Sequence, residues 1–71
     1  MVVYVKLLNE GTEVYRPVVA NKIQDNIYQL IEQNYDSEDE HWEFLPGSIV
    51  IVEERSLSGS NVLVAISRSI P

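Results

Sequence analysis

The chain has 71 residues, five Lys and Arg against eleven Asp and Glu, a formal net charge of −6 and no cysteine. A chain of this length holds a single domain, residues 1–71, with one small core. Its charge disfavours contact with phosphate backbones and anionic lipid surfaces, so nucleic acid and membrane are not expected as partners. The lack of cysteine excludes disulfides, thiolate nucleophiles and zinc knuckles, and fits a reducing, cytoplasmic setting.

Val2 to Leu8 is rich in β-branched and aromatic residues and stops at Asn9-Glu10-Gly11, where glycine permits the positive φ of a turn. This is the first predicted strand. Apolar residues then continue from Thr12 to Asn21 with Pro17 in the middle, which predicts an edge, bulged or interrupted strand. Asp25-Asn26 is a polar pair suited to a tight hairpin. The segment Ile27 to Gln33 reads as a third strand. Ile23, Ile27, Leu30 and Ile31 also fall at i, i+4, i+7 and i+8, so one short helical turn is the alternative there.

Asn34 to Glu40 is polar and acidic, without apolar periodicity, and is predicted to be a loop. In an extended chain Trp42 and Phe44 share one face, with His41, Glu43 and Leu45 on the other. Pro46-Gly47 supplies a turn in which proline fixes φ and glycine takes the left-handed position. Ser48 to Arg55 is a fourth strand, Ser58 to Asn61 the last turn, and Val62 to Ile66 a fifth, short apolar strand. Five short strands in a chain of this size predict an all-β fold, a small five-stranded barrel whose closure pairs otherwise exposed edges. The fourth and fifth strands lack clean alternation. A second apolar face on so small a chain calls for cover by another copy, as a homo-oligomer, or by a partner protein.

The run Val5-Lys6-Leu7-Leu8-Asn9-Glu10-Gly11-Thr12-Glu13-Val14-Tyr15-Arg16-Pro17-Val18, then Trp42-Glu43-Phe44-Leu45-Pro46-Gly47 and Leu63-Val64-Ala65, resembles a family of short, uncharacterised bacterial proteins with an SH3-like β-barrel. The resemblance spans nearly the whole chain. It implies the SH3-like barrel and transfers no activity. The tail Ser67 to Pro71 departs from it.

Few residues carry chemistry. Asp36, Glu38, Asp39, Glu40 and Glu43 form an acidic cluster, but a calcium loop counted from Asp36 puts His41 at the glycine position and Gly47 where a bidentate Glu belongs. Solvated charge, or a docking surface for a basic partner, is the expectation, with no metal and no cofactor. His41 is the single histidine and no serine sits in a nucleophile elbow, so the chain reads as a non-enzyme. Trp42 is most simply a core or barrel-mouth plug. Its alternative is a binding platform shared with Tyr15, Tyr28 and Tyr35, since SH3-like grooves hold proline-rich segments with aromatic side chains beside acidic loops. Arg16, made rigid by Pro17, is expected to form a structural ion pair with Glu10, Glu13 or the acidic loop, or else to anchor a partner. The candidate partner-binding set is therefore Tyr15, Arg16, Tyr28, Tyr35, Trp42, Glu38, Asp39 and Glu40. The leading functional expectation is a protein-interaction or assembly module. The alternative is a nucleic-acid-associated barrel using a local patch of Lys6, Arg55 and Arg68; a small enzyme or metal-dependent accessory built on His41 and the acidic loop is the weakest reading.

Overall fold

The computed structural model describes residues 1–31 and 41–69. Five strands form a closed barrel in sequential order: β1 (Val2–Leu7), β2 (Val14–Gln24), β3 (Ile27–Leu30), β4 (Ile49–Leu57) and β5 (Ser60–Arg68). Consecutive strands pair antiparallel. An up-and-down run of five strands ends pointing the way it began, so its closure is parallel, and β1 meets β5 at Tyr4 and Val64. The architecture is all-β and consistent with a small SH3-like barrel. No helix occurs among the described residues. The helical alternative at Ile27 fails because Tyr28 and Leu30 alternate into the core from a strand paired on both sides.

Period-two patterning builds the interior. Val3, Val5 and Leu7 enter from β1, Val18 and Ala20 from β2, and Val50 and Val52 from β4. Trp42 and Phe44 complete the core from the segment before β4, while His41, Glu43 and Leu45 face solvent, as the alternation predicts. That segment is held along β1. The Leu8 amide donates to the His41 carbonyl at 2.6 Å and the Glu43 amide to the Lys6 carbonyl at 2.9 Å, around a bridge between Leu7 and Trp42. The buried Tyr28 hydroxyl contacts the Met1 thioether sulfur at 3.6 Å, a weak acceptor at the barrel rim.

Pro17 does not interrupt β2. The Ala20 amide donates to the Met1 carbonyl at 2.8 Å, which sets the ladder's phase and makes Tyr4 and Pro17 a non-hydrogen-bonded pair. The nitrogen of Pro17 therefore points away from β1. On that side the described pairing reaches only to Val19, whose carbonyl accepts from the Ile31 amide at 2.9 Å, so among the described residues no ladder bond is lost at Pro17. The bulge lies further on, between Lys22 and Gln24, just before the two-residue Asp25-Asn26 turn.

Two other turns follow from local chemistry. The Ser48 amide donates to the Leu45 carbonyl at 3.1 Å across Pro46-Gly47, and Gly47 has φ 90°, as a type II turn requires. Ser58 and Gly59, with φ 51° and 83°, join β4 to β5 in the doubly left-handed conformation of a type I′ hairpin. The apolar pattern of β5 is explained by a bulge at Ile51/Val52, opposite Ile66. Ala65 faces Val52 in the core, whereas Val64 is buried outside that cluster, where β5 meets Tyr4. Part of the second apolar face is thus covered by the chain itself.

Gly59→Ala is expected to destabilise the fold by about 1–2 kcal/mol through backbone strain alone, since no atom lies within 4 Å of the added Cβ. Pro17→Val should shift stability by less than about 1 kcal/mol, because its new amide meets no ladder partner among the described residues. Urea unfolding of both variants measures the contrast.

Candidate functional site

The outer faces of β1 and β2 carry the groups the core does not use. Lys6 and Tyr15 are cross-strand partners in a non-hydrogen-bonded pair, the closer of the two antiparallel pair types. The loop after β1 turns through two left-handed residues, Asn9 at φ 65° and Gly11 at φ 72°, and returns Glu13 beside this pair. It encloses a hollow of about 360 Å³ lined from Lys6 to Glu13.

Two more hollows adjoin Glu13 and Tyr15. One, of about 200 Å³, adds Glu43, Arg55 and the Val64–Ile66 stretch of β5. The other, of about 360 Å³, is bounded by Tyr4, Val14 and the Leu57-Ser58 end of the β4–β5 hairpin. Glu13 therefore stands at the centre of a notched surface between the β1–β2 loop and that hairpin. The middle hollow balances Lys6 and Arg55 against Glu13 and Glu43. Arg55 also faces Glu53 at 3.6 Å, with both side chains about half exposed, so this ion pair adds little to stability.

The aromatic and arginine candidates separate. Tyr15 lines the cleft. Arg16, its neighbour on a strand, projects to the opposite face, where its guanidinium carbon lies 5.5 Å from the centre of the Trp42 ring. Trp42 and Tyr28 are each only 3% exposed and belong to the core, so they present no platform beside Tyr15. Arg16 thus has a structural contact with the plug residue. Tyr35, Glu38, Asp39 and Glu40 lie outside the described residues. Among the described residues no group of three or more His, Cys, Asp or Glu is arranged to hold a metal, and no helix is long and apolar enough to cross a membrane.

Reading the sequence for motifs took Glu13 only as a possible ion-pair partner of Arg16, and Lys6 and Arg55 only as part of a basic patch. The signal for Lys6 was its alternation with the inward Val5 and Leu7, which sets it on the face of Tyr4. Placing it opposite Tyr15 needed the hairpin register.

Removing the plug ring should cost about 3–5 kcal/mol in Trp42→Ala. Arg16→Ala should cost about 1 kcal/mol, and a double-mutant cycle with Trp42→Leu should return a coupling of about 0.5–1 kcal/mol. Chemical denaturation of the four proteins measures it. Comparison with protein-family models, with curated proteins and with solved structures finds no match to this chain.

Proposed function

We propose that this chain is a non-catalytic protein-interaction module that presents the cleft around Glu13 and Tyr15 to a protein partner. The observation that carries the reading is the composition of the middle hollow. A tyrosine and the Val64–Ile66 stretch lie beside two cations and two carboxylates. An aromatic anchor ringed by charges of both signs suits a polypeptide surface, in which aromatic contact supplies affinity and the charges select the partner.

The nucleic-acid alternative asks Lys6, Arg55 and Arg68 to form one basic patch. Lys6 and Arg55 do line one hollow, but Glu13 and Glu43 share it. Arg68 pairs with Val50, five residues from Arg55 along β4, a separation of roughly 17 Å on a strand. The protein reading is the better supported of the two. A cytoplasmic setting accompanies it, on the strength of a chain that has no cysteine.

A photoreactive phenylalanine analogue at position 15, with a control at the exposed Ile23, tests this in living cells. The expected result is a discrete protein adduct at position 15 that withstands nuclease and is lost on Glu13→Lys. A nuclease-sensitive adduct, or identical adducts at both positions, would overturn the proposal.

A further inference from the structure

The ladder on β4 is unequal on its two sides. Toward β5 the pairing runs from Val50 to Leu57. Toward β3 it covers only Ile49, Val50 and Ile51, and ends where the Val52 amide donates to the Asn26 carbonyl at 2.8 Å. That bond fixes the phase: even-numbered residues of β4 direct their backbone groups toward β3 and odd-numbered ones toward β5. The tight hairpin agrees, because Leu57 and Ser60 close it as a bonded pair. Glu54 and Ser56 therefore point their N–H and C=O groups away from β5, past the end of β3. No hydrogen bond to them occurs on that side among the described residues, and Glu53 to Ser56 are all exposed.

We propose that this open edge of β4, centred on Glu54 and Ser56, accepts an extended polypeptide segment bearing basic residues as an added strand. Backbone bonding supplies the attachment and side-chain charge selects the occupant. Arg55 lies beside Glu53 at 3.6 Å, which leaves Glu54 as the uncompensated charge on the edge of a chain whose net charge is −6. A strand with Lys or Arg opposite Glu54 neutralises it. A second copy is a poorer occupant. Two-fold pairing centred on Glu54 or on Arg55 sets like charges directly opposite, and pairing centred on Ser56 leaves Glu54 without a counter-charge. Charged residues on an edge oppose indiscriminate pairing, and here they leave it open to a cationic strand. The edge adjoins the cleft through Arg55, but it rests on the backbone of Glu54 and Ser56 and goes beyond the proposed function of the cleft.

The test uses ¹⁵N-labelled protein with the capped peptides TKVKVKT and TEVEVET. Amide exchange at Glu54 and Ser56 should slow at least tenfold with the lysine peptide, while Arg55, already bonded to β5, stays unchanged. The glutamate peptide should have no such effect. Ser56→Pro removes one edge donor without touching the β5 ladder, so it should abolish the protection while keeping a dispersed spectrum. Glu54→Lys, which retains every backbone group, should weaken binding of the lysine peptide at least fivefold. Equal protection by both peptides, undiminished binding to Glu54→Lys, or no protection at all would overturn the proposal. Protection that instead rises with protein concentration alone would overturn it in favour of a second copy.

Discussion

The barrel depends on β1 being bonded along both edges. Five strands in up-and-down order can close only through a parallel contact, and here that contact holds one register pair, Tyr4 with Val64. Beyond it the free edge of β1 would present the Lys6 carbonyl and the Leu8 amide to water. The segment through His41, Trp42 and Glu43 takes those two bonds instead. The same geometry swings Trp42 and Phe44 inward, so one short extended stretch finishes the ladder and fills the core.

What the inner faces use for packing, the outer faces release for recognition. Val5 and Leu7 are buried while Lys6 lines the cleft, and Trp42 and Phe44 are buried while Glu43 joins it. Each alternation is the ordinary consequence of extended chain. Because Lys6, Tyr15, Arg55 and Glu43 sit on strands or on the bonded segment, and Glu13 directly precedes β2, the core that fixes the barrel also fixes their spacing. Arg16 belongs to the inner half of this division, since it lies over the Trp42 ring rather than beside Tyr15.

The short β3 leaves both its neighbours longer than itself, and the two overhangs are treated differently. On β2 the stretch beyond the described pairing with β3 contains Pro17, which has no amide to offer on that side. On β4 the open stretch keeps the amides of Glu54 and Ser56 and surrounds them with charge. The first edge is chemically blunted, whereas the second retains its capacity to pair with a strand of the right charge.

Sequence alone determined the features that rest on one or two residues' backbone preferences. Asp25-Asn26, Pro46-Gly47 and the left-handed Gly59 mark turns wherever the rest of the chain lies, and the five strands between them make the all-β class legible. The opposed faces of Trp42 and Glu43 follow equally from extended geometry. Tertiary structure decided the rest. Ser56 and Leu57 lie past the strand end expected at Arg55, yet they belong to β4 because β5 pairs with them across a hairpin tighter than the four-residue turn expected. Ile27 to Leu30 became a strand through its two neighbours, against a helical spacing equally present in the chain. The cleft was invisible for the same reason: Lys6, Glu13 and Tyr15 come from one hairpin but Glu43 and Arg55 from distant segments, and only the pairing of strands brings them together. Local chemistry sets where a chain turns, but burial and pairing between distant segments set what the turns bring into contact.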